Sequence, residues 1–160
     1  MRKIKAKPIT VENFAPYGCF ANVLNPKGNH LGDFYNDQVL MPVSGGMPIG
    51  FSPLVMNKPE KMIVSAAEYH NTTGEGIIAL DDDIILHVAP ATKVSVPELT
   101  EAFIVPKGAI VKLNAGVWHF GPLPVNSDIV HILIILPERI YANDCIVVEY
   151  ALEDQFEIEL

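Results

Sequence analysis

The chain has 160 residues, 49% of them hydrophobic, with 13 Pro, 11 Gly and a formal net charge of −8. That length favours one domain, residues 1–160, with a substantial core. The acidic balance excludes a nucleic-acid binder, which needs a basic footprint, and an anionic membrane surface, and no apolar run reaches the length of a span.

The basic start "MRKIKAKPIT" is followed by no apolar stretch, so it does not read as a secretion signal, and the cytoplasm is the expected compartment. In that setting Cys19 and Cys145 read as reduced thiols acting as small buried hydrophobes. "ITVENFAPYG" predicts one helical turn capped by Thr10, leading to a strand around "CFANVL". Residues 25–48 read as a long loop holding one short strand, "DQVLMPV". From there the chain is strand-like: "IGFSPLVM", "KMIVSAAEYH", "GIIAL", "IILHVAP", "EAFIVP", "AIVKL", "VWHFGPL", "DIVHILIIL" and "CIVVEY". Turn chemistry separates them at "ALDDD", "PKG", "NAG" and "PER". Many short strands with such turns predict a mainly all-β fold, an antiparallel barrel or sandwich with few short helices. The tail "EDQFEIEL" reads as a last strand or a helical turn.

The chemistry-bearing stretch is "GAIVKLNAGVWH", Gly108 to His119. Five residues separate Gly108 from Asn114. Gly116 follows, and His119 comes three residues later. This resembles the second cupin motif, with Asn114 in the place of a proline. Gly116 supplies the backbone freedom a tight turn needs, and the next strand points one imidazole inward. By strand alternation Trp118 points the other way, into the wall or a subunit contact. Upstream, "EYHNTTGE" resembles the first cupin motif, with Glu68 where a His is usual, then His70 and Glu75. Residues two apart on a strand share a face, so Glu68 and His70 are expected in one cavity with His119, and Glu75 at its rim. Two imidazoles and two carboxylates suit a first-row divalent metal (Ni, Zn, Mn or Fe) that keeps an open position.

Other polar residues compete for a role. His87 and His131 lie in apolar strands, and His131 is the stronger pocket candidate because a buried imidazole needs a partner. His30 is expected to be exposed, and Asp81–Asp83 to be a solvated turn.

Over nearly its whole length the chain resembles the ureidoglycolate lyase family of cupins. The resemblance rests on "PITVENFAPYG", "EYHNTTGEGIIAL", "EAFIVPKGAIVKLNAGVWHFGPL" and the "NDC" at Asn143–Cys145. The chain departs from that family's pattern at Leu113, Asn114, Ala115, Phe120 and His131. The resemblance implies cleavage of ureidoglycolate to glyoxylate and urea, in purine and allantoin breakdown. Glu68, His70, Glu75 and His119 would hold the metal, with Glu68, Glu75 and His119 catalytic. A carboxylate not bound to metal would act as general base. An anionic hydroxy acid also needs a local cation. Lys112 is the candidate, with His131 as a second substrate-binding residue. The alternatives are a metal-dependent cupin enzyme on another small hydroxy or keto acid, and a non-catalytic small-molecule-binding cupin. A homodimer is expected, because "DIVHILIIL" and "CIVVEY" are apolar on both faces and open sheets leave edges to cover.

Overall fold

A computed structural model describes residues 1–43 and 45–160. In chain order the elements are β1 (Arg2–Lys5), β2 (Lys7–Pro8), α1 (Val11–Phe14), β3 (Gly18–Asn22), β4 (Ile49–Asn57), β5 (Ile63–Val64), β6 (Ala66–Tyr69), β7 (Glu75–Ala79) and β8 (Ile84–Ala89). After a 3-10 turn at Pro97–Leu99 come β9 (Glu101–Val105), β10 (Ala109–Leu113), β11 (Trp118–His119), β12 (Leu123–Pro124), β13 (Ile129–Pro137), α2 (Ile140–Asn143), β14 (Ile146–Glu149) and β15 (Phe156–Glu159).

The strands build a mainly antiparallel β-sandwich with an added outer layer. One sheet runs β3-β10-β7-β13-β4. The other runs β14-β6-β11-β8-β9-β2, with β12 attached to β8. Side chains from both fill the space between, including Ile77, Val111 and Ile132 from the first and Leu86, Val88 and Phe103 from the second. A small sheet, β1-β15-β5, covers the outside of the second sheet, packing its own Phe156 and Ile158 into a cluster with Ile85, Ala89 and Trp118. This third layer explains why "IILHVAP" is apolar at every position except His87. Ile84, Leu86 and Val88 face one core while Ile85 and Ala89 face the other, so β8 is buried along its full length.

Several local expectations hold and others change. Thr10 caps α1 in a reciprocal box with Asn13. "KMIVSAAEYH" breaks at Ser65: β5 pairs with β15 in the outer sheet while β6 joins the main one. "EDQFEIEL" ends in β15, which runs parallel to β1. "DQVLMPV" forms no strand. Asp37 takes φ 53°, and Pro42 lacks the N–H a ladder needs. β1 and β2 are additional to the expected elements, although Ile4 and Ala6 alternate with charged residues in the strand period. Asp81–Asp83 is not a solvated turn. The buried Asp82 accepts from the backbone N–H groups of Asn126 (2.8 Å) and Ser127 (2.7 Å), and Asp83 accepts from that of Lys107. Cys19 is exposed rather than buried, because it sits on the outward side of β3.

Candidate metal centre

Two glycines bring the site together. Gly116 adopts φ +81°, and its N–H donates to the carbonyl of His70 at 2.7 Å, so the turn before β11 is tied to the end of β6. Gly74 precedes β7, and a Cβ there would stand 2.3 Å from the Leu113 carbonyl oxygen. Only a residue without a side chain lets Glu75 enter β7 in register beside β10. β11 then pairs His119 directly with Glu68 of β6. His119 faces the space between the sheets, while Trp118 turns into the outer layer. There its indole N–H donates to Thr92 O and its ring packs against Tyr69.

One ligand atom each from Glu68, His70 and His119 lies within 4.8 Å of the others. Glu75 is not at a rim. It shares the inward face of β7 with Ile77 and Ala79, it is buried, and its Oε2 lies 3.0 Å from His70 Nε2 and 3.1 Å from His119 Nε2. The far side of each ring is also committed. His70 Nδ1–H donates to Asp144 O at 2.7 Å, and His119 Nδ1–H donates to Val117 O at 2.8 Å. A neutral imidazole carries one N–H. With that hydrogen spent on a carbonyl, each Nε2 aims a lone pair at a carboxylate oxygen. A second proton on each ring, or one shared divalent cation, removes the repulsion.

The donor set fits a cation. Nδ1 bonded to backbone carbonyls with Nε2 turned inward is the arrangement that orients metal-binding histidines. Separations of 3.0 and 3.1 Å match neighbouring ligands around an ion with bonds of ~2.1 Å. Without an ion, burial works against charging either ring. The Glu75 carboxylate overcomes it and raises both His70 and His119. Burial likewise pushes Glu75 up, but the two imidazoles outweigh it and hold the carboxyl well below its ordinary range.

Glu68 and Glu75 open onto a cavity of about 390 Å³ whose other walls include Leu54, Met56, Phe120, Ile134 and Tyr141. Among the described residues no Lys or Arg lines it. Lys112 lies elsewhere: its Nζ donates to Asn114 Oδ1 at 2.6 Å and faces a different pocket with Thr72 and Thr73. His131 does not face the cavity either. It alternates with the buried Val130 and Ile132, stands exposed, and pairs with Asp81. His30 is exposed against Tyr35.

Three neighbours of the site were not expected from spacing. The Asp144 carboxylate accepts from the backbone N–H groups of Asn71 (2.9 Å) and Thr72 (2.7 Å), so it clamps the loop after His70 that its own carbonyl orients. Cys145 Sγ donates to Glu68 at 3.2 Å, and burial together with that carboxylate pushes its thiol up to about 12. Tyr141 joins the cavity wall with its hydroxyl also raised to about 12, chiefly by burial, so it remains a donor. These contacts reach across more than 70 residues of sequence, and only the "NDC" stretch hinted at them.

No helix among the described residues is long and apolar enough to cross a membrane. No curated protein matches the chain. Among solved structures it is similar to RmlC from Streptococcus suis, determined in complex with dTDP-D-xylose, at 13% identity and a TM-score of 0.37. That likeness covers 66% of this chain, which spans only 46% of that one. Residues 9–155 match the domain of unknown function DUF4867, and the chain belongs to that family.

Proposed function

We propose that this protein is a metal-dependent cupin enzyme that transfers protons on a small hydroxy or keto compound. One observation carries the reading: two buried imidazoles, each with Nδ1–H spent on a backbone carbonyl, turn Nε2 onto the same Glu75 oxygen. His70, Glu75 and His119 would hold the ion, with the Glu68 carboxylate beside it, and the ion when bound supplies Lewis acidity toward a substrate oxygen. Both carboxylates line the cavity, but Glu75 is buried with one oxygen held between the imidazoles, whereas Glu68 is half-buried with a thiol donor on one oxygen. Glu68 is therefore the better placed to take a proton from substrate. The Tyr141 hydroxyl, kept protonated, is placed to donate one to an oxygen or leaving group.

The finer reading is ureidoglycolate cleavage to glyoxylate and urea, and its support is the sequence resemblance. The cavity is large enough for that substrate, and Glu68 and Tyr141 could serve as base and acid. Charge favours a second reading. A divalent ion with two carboxylates and two neutral imidazoles sums to zero, and no basic side chain among the described lining residues waits for an anion. That balance suits an uncharged hydroxy or keto compound. The test is metal analysis of the purified protein, followed by assays for glyoxylate release from ureidoglycolate and for turnover of neutral hydroxy ketones. Stoichiometric metal with turnover lost in Glu68→Gln is the expected outcome. Metal-free protein that turns over nothing would leave a binding cupin instead.

We also propose a homodimer, supported by the exposed apolar residues Phe51 and Val55 on the edge strand β4 and Ile146 and Val147 on the edge strand β14. A monomer in sedimentation at micromolar concentration would refute it.

A further inference from the structure

We propose that the pocket over His87 is a second binding subsite, one that takes an uncharged, ring-sized group bearing a single hydroxyl or carbonyl. His87 lies on the outward face of β8, is 3% exposed, and lines a cavity of about 210 Å³. Among the described residues no group hydrogen-bonds to either of its ring nitrogens. Its ring nitrogens are not among the sealed, partnerless polar atoms of the described residues, so their hydrogen-bonding capacity opens to the cavity. His70 and His119, equally buried, have partners on both nitrogens. The open valences of His87 therefore belong to the cavity.

Shape and charge define the occupant. A dry cavity of about 150 Å³ accepts benzene, so this one accepts a six-membered ring. Its walls are mainly apolar, with Met56, Ile63, Val64 and Leu123 among them. No charged side chain is among its described lining residues, so a charged ligand would be desolvated without a partner. Burial keeps His87 neutral, and a neutral ring offers one donor and one acceptor.

Met56, Phe120 and Gly121 line both this cavity and the one at Glu68. The two cavities thus adjoin at these three residues. One substrate could place its oxygen donors at the metal ligands, its body past Phe120 and its distal polar atom on His87. That continuity rests on the proposed metal-site reading, whereas the subsite itself stands on His87 and its walls.

The experiment compares phenol with toluene, which has nearly the same shape and no hydroxyl, by following the His87 ring resonances during titration. Phenol is expected to shift them saturably and to bind about threefold to tenfold tighter than toluene. In His87→Phe that preference should vanish while toluene still binds. Equal affinities in the wild type, or phenol shifts that leave the His87 ring untouched, would overturn the proposal, and this comparison needs no variant. Titrations with and without chelator separate the two readings. Phenol binding in a protein that takes up no metal would sink the metal site and leave the subsite. Metal uptake without phenol selectivity would do the reverse.

Discussion

His119 and His87 stand on neighbouring strands of one sheet, β11 and β8, and each is 3% exposed. Burial acts on both in the same direction, against the charged ring. In His87 nothing opposes it, and the imidazole falls to about 3. In His119 the Glu75 carboxylate does oppose it, and the ring rises above its ordinary value. The difference comes from facing. His119 turns between the two large sheets, where β7 delivers a carboxylate. His87 turns to the outer layer, where its ring stands nearly perpendicular to that of Phe156. Burial by itself does not define a functional histidine, because the chemistry depends on what the opposing strand presents.

The largest effect should come from removing the partner that separates the two cases. Glu75→Gln leaves two buried imidazoles facing an amide, and breaking a buried ion pair on one side costs about 3–5 kcal/mol. Chemical denaturation of metal-free protein should show a loss of that order, and mass spectrometry should show no retained metal. An unchanged midpoint with metal still bound would break the comparison at its root.

The opposite pole is tested by acid. His87 is neutral when folded and titrates near its ordinary value of 6.5 when unfolded. Between those values the unfolded chain binds the extra proton, so this stability is present above pH 6.5 and is lost as pH falls toward 3. From pH 7 to 4 the loss should be roughly 3 kcal/mol, and His87→Phe should abolish it. A variant with the same pH dependence as the wild type would show that His87 is not held neutral.

Asp82 extends the rule to a buried acid. Burial raises its pKa, but the Ser127 and Asn126 donors outweigh that and hold it at about 2, against 3.8 in the ordinary case. Its contribution is present above pH 4 and disappears as pH drops toward 2. It should amount to about 2 kcal/mol and be missing in Asp82→Ala. Denaturation midpoints of the two proteins that converge at pH 2 and separate at pH 6 are the expected signature.

The smallest effect concerns a positioning contact. Cys145→Ala removes the S–H donor from Glu68 and should weaken metal affinity about tenfold without changing the fold. Competition with a chromogenic chelator reads this directly. An unchanged affinity would mean that the strand alone positions Glu68.

Much of the site was legible because ligand spacing is local. Glu68 and His70 are two apart on one strand, and Gly116 sets the turn three residues before His119. Strand periodicity likewise located most of the sheet elements. The pocket wall was less legible, because which face of a strand is inside depends on the sheet that covers it. Lys112 and His131 sit in convincing strands but point outward, since Val111 and Leu113, and Val130 and Ile132, take the inward positions. Glu75 is expected at the rim, not between the imidazoles, because a single sequence does not show that Leu113 and β10 draw it into register.

By itself, then, the sequence determined the β architecture, the Gly116 turn and which four polar side chains, Glu68, His70, Glu75 and His119, cluster between the sheets. These follow from period, spacing and backbone freedom over a few residues. Only the tertiary structure decided that Glu75 sits between both imidazoles, that Asp144 and Cys145 return to orient His70 and Glu68, and that an outer sheet encloses His87. These depend on contacts between residues far apart in the chain, whose separation in space is set by how the layers pack.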